Sequence, residues 1–280
     1  MNPVAQGARG GGGPPLDPIT AWCVEAASDA RRGGERGRAF VIGVSGPQGG
    51  GKSTLARRLV DELRARGLRA VTVSIEDFYL THAEQRALAA AHPGDRCLEH
   101  RGYPGTHDVS LGERVLEALV RQREGTIVVP VYDKSAHGGR GDRASEDRFV
   151  RVDAPLDVVI LEGWMLGFRR AENADCPVPL RAANEALPTY ERWARFFDAF
   201  VHLVAKEVSQ IAEFRVDAER ARRAAGEPAL SDEDARDYIE RFLPAYEVYV
   251  PPLVASPPAA KWLRATIGRH REILGIETSA

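Results

Sequence analysis

The chain has 280 residues, 44 % of them apolar, and a formal net charge of −2. That length suits one large α/β domain or two small ones, and the near-balanced charge excludes the broad basic field of a nucleic-acid binder. Cys23, Cys97 and Cys176 are too far apart for a disulfide framework or a zinc site, and no stretch approaches 18 consecutive apolar residues, so a cytoplasmic protein without a membrane span is expected.

Residues 1–15 include a Gly10-Gly-Gly-Gly-Pro-Pro15 run and no apolar segment, so they read as a flexible tail rather than a signal peptide. Residues 16–280 are expected to form one domain. Leu16 to Arg32 has helical periodicity, with Asp17-Pro18 as cap and first turn. Ala39 to Val44 is a buried-strand run. Ser53 to Gly67 reads as a helix on the spacing of Leu55, Leu59 and Leu63, with Gly67 as its terminal glycine. Ala70 to Ile75 is a second strand, and His82 to Ala91 a helix. Arg101 to Asp108 is a loop, Leu111 to Arg123 an amphipathic helix, and Thr126 to Val129 a short strand entering a glycine- and charge-rich loop that runs to Arg143. Asp157 to Leu161 is an apolar strand. An irregular stretch follows, then a short helix over Tyr190 to Phe197 and a strand over Ala199 to Val204. Val208 to Ala225 is an arginine-rich helix. Ser231 caps another, expected to continue to about Tyr249 and stop at Pro251-Pro252. Trp262 to Ile267 is the last strand. Strands alternating with helices predict an α/β fold, a mostly parallel sheet with helices on both faces and ligands at the strands' carboxyl ends.

The most specific chemical signal is Gly46-Pro-Gln-Gly-Gly-Gly-Lys-Ser53, the P-loop pattern G-x-x-x-x-G-K-S between a strand and a helix. Its backbone N–H groups, from Gly46, Pro47, Gln48, Gly49, Gly50 and Gly51 into Lys52, Ser53 and Thr54, are placed to cradle the phosphates of ATP at a helix N-terminus. Proline contributes its carbonyl alone. Lys52, expected on the solvent side of an empty loop, would reach the β- and γ-phosphates, and Ser53 would ligate Mg²⁺. Glu162, after four apolar strand residues, is the candidate second Mg²⁺ holder. Glu76 and Asp77 end the strand after the P-loop helix; one of them is the candidate base for an acceptor hydroxyl, since successive side chains diverge there. Arg101, His107 and Asp108 in one loop, and Tyr132, Lys134, His137, Arg140 and Arg143 in another, are candidates for an anionic small-molecule acceptor. Lysine is scarce, with four in the chain, which makes Lys52 and Lys134 more informative. Arg215, on the arginine-rich helix, is a candidate phosphate contact carried by a lid over about 208–235. No Asn-Lys pair is present, as a guanine-specific switch would need, and no L-S-G-G-Q-like signature of a transporter ATPase.

The ordered set Gly46 to Ser53, Ser74-Ile-Glu-Asp-Phe-Tyr-Leu-Thr81, Arg101-Gly-Tyr-Pro-Gly-Thr-His-Asp108, Tyr132-Asp-Lys-Ser135, Gly139-Arg-Gly-Asp-Arg143 and Leu161-Glu-Gly-Trp-Met-Leu-Gly-Phe168 resembles the D-glycerate 3-kinases. Those belong to the wider uridine kinase and phosphoribulokinase group of P-loop kinases. The similarity runs from about Val41 to Pro252 and takes in Leu243-Pro-Ala-Tyr246. It implies transfer of the ATP γ-phosphate, with Mg²⁺, to the 3-hydroxyl of D-glycerate. It also implies a catalytic base at position 76, where the wider group usually has Asp and this chain has Glu; Asp77 stays as the rival. Lys134 and Arg143 lie inside shared motifs, which makes them the favoured carboxylate clamps. Pro130-Val-Tyr-Asp133 with His137 resembles the acceptor-binding stretch of uridine kinases, so another small alcohol (uridine, pantothenate or a sugar phosphate) is the alternative acceptor. A nucleotide-binding regulator without acceptor is the more distant one.

Overall fold

The computed structural model describes residues 17–32, 37–172, 174–226 and 229–279; the expected flexible tail over 1–15 lies outside the described residues. In chain order the first half contains α1 (Pro18–Arg32), β1 (Phe40–Ser45), α2 (Lys52–Ala65), β2 (Ala70–Ser74), α3 (His82–Ala91), α4 (Val109–Arg121), β3 (Thr126–Val129) and β4 (Tyr132–Asp133). Then come β5 (Asp142–Arg143), β6 (Val150–Asp153), β7 (Val158–Gly163), α5 (Arg181–Ala186), α6 (Glu191–Ala194) and β8 (Ala199–Ala205). The last part holds α7 (Gln210–Ala224), α8 (Asp232–Glu240), α9 (Leu243–Ala255), β9 (Lys261–Ile267) and β10 (Ile273–Thr278).

Six strands form one sheet in the order β10-β9-β8-β1-β7-β2, parallel except for the β9–β10 pair at the edge. The central strands are buried on both faces, as continuous apolar runs require. Alternate residues feed two cores. Val41, Val159 and Leu161 point into one with Leu116 and Tyr249, while Ile42, Val158 and Ile160 point into the other with Leu59 and Cys23. Asp17 caps α1 as expected, accepting from the N–H groups of Ile19 and Thr20 at 3.1 and 3.0 Å. No helix among the described residues is long and apolar enough to cross a membrane.

Three expectations change. The segment expected as one helix from Ser231 to Tyr249 is two, α8 and α9. Pro244 lacks the N–H and the ring clearance to continue a helix, so the chain restarts and Pro244 falls in the first turn of α9. Pro251 and Pro252 do not stop α9, which runs through them to Ala255. Both prolines are exposed, as is Glu247, whose carbonyl Pro251 leaves without a helical partner. Thr126–Val129 does not join the main sheet. It pairs antiparallel with β6, and β4 pairs antiparallel with β5, giving two two-stranded ribbons outside the main sheet. Neither β6 nor β10 was expected.

Candidate active site

The site is built at the carboxyl ends of β1, β2 and β7, which lie side by side in the sheet. After β1 the chain turns through Gly46–Gly51. Gly49 has φ +74°, and a Cβ there would stand 2.4 Å from the Phe214 carbonyl oxygen, so only glycine lets the loop lie against α7. Gly51, with φ +97°, turns the chain into α2. The loop is held from outside. The Gln48 N–H donates to the Tyr246 hydroxyl at 3.0 Å. The Arg271 guanidinium donates to the carbonyls of Gly49 at 2.7 Å and Phe214 at 2.9 Å.

Lys52 is not on the solvent side. It is 8 % exposed and donates to the Pro47 carbonyl at 3.0 Å, folded back over its own loop. Burial pushes its ammonium below the usual lysine range, against the pull of Glu162 and Glu76. Ser53 Oγ donates to Glu162 Oε1 at 3.0 Å, so the first turn of α2 and the end of β7 bring hydroxyl and carboxylate together.

At the end of β2 the two acids part. Ser74 caps a short 3-10 turn over Ile75–Phe78, and Asp77 closes it: its Oδ2 accepts from the Ser74 N–H at 3.2 Å. Oδ1 of Asp77 accepts from the Tyr132 N–H at 3.4 Å, tying β4 to the turn. Burial raises its carboxyl to about 6 despite these bonds. Glu76 faces the opening and forms an ion pair with Lys134. Burial would raise the Glu76 carboxyl, but the charge and hydrogen bond of Lys134, with Lys52 and Arg215 behind, hold it at about 2. Lys134 rises in turn, chiefly through Glu76.

Arg215 completes the cleft from α7. Its Nη2 pairs with Glu219 at 2.5 Å, its guanidinium lies 4.7 Å over the Tyr238 ring, and its buried Nε has no partner. Glu219, 1 % exposed, also accepts from the Leu230 N–H. The neighbouring arginines are used elsewhere: Arg220 and Arg223 both pair with Asp232 and pin α7 to α8. Gln48, Lys52, Ser53, Glu76, Asp77, Tyr132, Lys134, Glu162, Trp164 and Arg215 thus surround one cleft of about 250 Å³.

Of the eight acceptor candidates, Tyr132 and Lys134 line that cleft; the other six do not. Asp108 is the N-cap of α4, accepting from the Leu111 N–H at 2.8 Å. His107 is buried between Tyr79 and Tyr190, with Nδ1 2.9 Å from the Tyr190 hydroxyl, and burial lowers it to about 3. The Tyr190 hydroxyl also accepts from the Gly105 N–H at 2.9 Å. Arg143 donates to the Tyr79 carbonyl at 3.3 Å and stands 3.9 Å from Asp108. His137 stacks on His82 and bonds to Asp142. Arg101 donates to the carbonyls of Gly139, Arg140 and Lys134, binding the loop that carries Lys134. Arg101 and Arg140 line a separate cavity. Arg271 and Tyr238 were missed, and nothing local marks them. Arg271 contacts Gly49 across 222 positions of sequence.

A D-glycerate 3-kinase from Cryptococcus neoformans superposes with a TM-score of 0.83 at 30 % identity, covering 95 % of this chain and all of that one. The "Uncharacterized kinase mug58" of Schizosaccharomyces pombe is 37 % identical over 76 % of this chain and 82 % of its own length. The chain belongs to the D-glycerate 3-kinase family of P-loop kinases. The chloroplastic D-glycerate 3-kinase of Arabidopsis thaliana is 38 % identical over 86 % of this chain, which spans 55 % of that relative's length. Uridine kinases match at lower identity and over a shorter stretch. A family model described as "Methylmalonyl Co-A mutase-associated GTPase MeaB" matches residues 30–78, the part holding β1, the P-loop, α2 and β2. Its relatives named as kinases make the protein a phosphotransferase with an alcohol acceptor, and the kinase family implies ATP as the phosphate donor.

Proposed function

We propose that the protein transfers the γ-phosphoryl group of ATP to the 3-hydroxyl of D-glycerate, giving 3-phosphoglycerate and ADP. The observation that carries this is the Glu76–Lys134 pair, a carboxylate and a cation side by side in the cleft that also holds Lys52, Ser53 and Glu162. A hydroxy acid presents the two complementary groups: a hydroxyl with a proton to lose and a carboxylate that needs a cation.

The residues suit nucleotide and metal. The strapped P-loop has no room for a side chain at Gly49, and the orphaned, buried Arg215 Nε is a donor that a phosphate oxygen would satisfy. Ser53 and Glu162 would hold Mg²⁺ through oxygen, which neutralises charge on the phosphate oxygens when bound. Lys52 would leave the Pro47 carbonyl for the β- and γ-phosphate oxygens. Arg215, on α7 with α8 packed beside it, would bring its charge to the transferring group, with these helices as a cover. Lys134 would exchange Glu76 for the acceptor carboxylate. Glu76, released, would accept the 3-hydroxyl proton as the O3–P bond forms and the bond from the γ-phosphorus to the β,γ-bridging oxygen breaks. Asp77 would keep the turn in place.

The test is ADP release with D-glycerate, L-glycerate, uridine, pantothenate and ribulose 5-phosphate. D-glycerate is expected to give the highest kcat/KM. A protein that turns over uridine and not glycerate would overturn the assignment.

A further inference from the structure

Beside the cleft lies a larger cavity of about 510 Å³ that the chemistry above does not use. It is walled by α3, by the Glu99–Arg101 segment, by the Gly138–Arg140 loop and by the end of α8. Four arginines line it, Arg86, Arg101, Arg140 and Arg241, with His82 and His100. Among the described residues none of the four arginines has a carboxylate partner. Arg101 donates to carbonyls, and Arg241 lies over the rings of Tyr238 and Phe242 with its Nε buried and unpartnered. One carboxylate, Glu99, is present, 3.7 Å from His100. Partial burial lowers His100, and Arg241, Arg140 and Arg101 push the same way against Glu99. Four guanidinium groups around one hollow with a single carboxylate leave an excess of positive charge that an anion would offset. The volume falls in the roughly 300–1,000 Å³ range of small-molecule sites and exceeds what a lone ion fills.

The cavity and the cleft have no lining residue in common, but side-chain contacts bridge them. Tyr238 carries Arg241 at 4.5 Å on the cavity side and Arg215 at 4.7 Å on the cleft side. Arg101 lies 5.5 Å from the Tyr132 ring centroid and holds the carbonyl of Lys134. A ligand that draws on Arg101 and Arg241 therefore acts on the supports of two cleft cations.

We propose that this cavity is a second binding site, for a small polyanion of the phosphorylated carboxylic acid class, coupled to the cleft through Arg101 and Tyr238. The test is calorimetric titration of 2,3-bisphosphoglycerate, which has no free hydroxyl to phosphorylate, into protein saturated with ADP and Mg²⁺. Saturable binding is expected, at least about tenfold weaker in Arg86→Glu and about threefold tighter in Glu99→Gln, the signs that charge complementarity dictates. Both positions are exposed, and both variants are expected to keep the wild-type melting temperature. Inorganic phosphate, one group against four arginines, is expected to bind at least about tenfold more weakly; equal affinity would overturn the polyanion class. Binding unaffected by either substitution would overturn the site. A raised KM for the acceptor in Arg86→Glu without added anion would make the cavity the acceptor's own pocket and overturn its separateness. With whichever acceptor turns over, 2,3-bisphosphoglycerate is expected to change kcat at least twofold in the wild type and not in Arg86→Glu; binding without that change would overturn the coupling. None of these results depends on the acceptor being glycerate.

Discussion

Replacing Lys134 with methionine removes the charge that sets the state of Glu76 while keeping most of the side-chain volume. In the folded protein burial raises Glu76, and Lys134 is the largest opposing influence, bringing the carboxyl from its ordinary 4.5 to about 2. Without Lys134 the carboxyl returns toward 4.5 or above, a rise of roughly 2.5, or about 3 kcal/mol at 1.36 per pH unit. Lys134 is 59 % exposed, so solvent screens the pair and about 1–2 kcal/mol is the sounder expectation. The sign is fixed. A depressed carboxylate pKa keeps Glu76 ionised, and the stability it adds is present above 4.5 and lost as pH falls from there to about 2. In Lys134→Met the ionised base is lost at higher pH. The assay is kcat/KM for the acceptor between pH 4 and 8. Glu76 imposes no acid limb on the wild type in that range, whereas burial without Lys134 brings its limb in the variant up to about 4.5 or above, which steepens the acid fall there. Asp77, raised by burial to about 6, also loses the lowering charge of Lys134, so its own titration moves up in the variant as well. If the two profiles superimpose after scaling, Lys134 does not control Glu76 and the mechanism fails.

Glu76→Gln is expected to lower turnover by roughly 10²-fold or more while ATP binding changes little. Asp77→Asn acts on the fold instead: one amide oxygen cannot replace two carboxylate oxygens that accept from Ser74 and Tyr132, so melting is expected to show a loss of about 1–3 kcal/mol. A larger turnover loss in Asp77→Asn, with unchanged melting, would exchange their roles. Lys52→Ala is expected to abolish most transfer and leave the protein folded, because the Nζ contact it removes is one hydrogen bond to Pro47; near-normal turnover with ATP and Mg²⁺ would refute the phosphate assignment. Tyr246→Phe strands the buried Gln48 N–H, at a cost of about 1–3 kcal/mol, and should raise the KM for ATP through the loosened loop; unchanged melting and KM would show that the strap is dispensable.

The core of the fold was legible because its strands are short apolar runs closed by glycine or charge. Phe40–Ser45, Val158–Gly163 and Ala199–Ala205 are buried on both faces, so composition alone marks them. His82–Ala91 matched to the residue because Thr81 and Glu84 form a capping box and the helix stops before His92-Pro. What failed was long-range. β3 and β6 are four-residue strands whose pairing no local pattern dictates, and β10 is exposed along its whole length. Asp108 precedes a helical run, a cap signal that was present in the sequence and was read as a ligand. Arg101 and Arg143 were read by charge; the Arg101 guanidinium donates to loop carbonyls and Arg143 Nη2 to the Tyr79 carbonyl, contacts that sequence cannot reveal.

The two adjacent acids show why recognition and chemistry can be one event here. Their environments push them apart, Asp77 up to about 6 by burial and Glu76 down to about 2 by Lys134. A carboxylate held at about 2 is a poor base, so on the proposed mechanism Glu76 would work only once its cation is drawn away. An acceptor with its own carboxylate would do that; a neutral alcohol would not. Glycerol keeps both hydroxyls of glycerate and has a neutral hydroxymethyl group in place of the carboxylate, so it tests the coupling directly. With glycerol Lys134 stays on Glu76, and kcat, not KM alone, is expected to fall by at least about tenfold relative to glycerate. In Lys134→Met no cation remains to be drawn away, so the ratio of the two kcat values is expected to approach one. A glycerol kcat equal to that of glycerate in the wild type, or a ratio that survives in Lys134→Met, would mean that the carboxylate contributes binding alone and that Glu76 is not switched by its substrate.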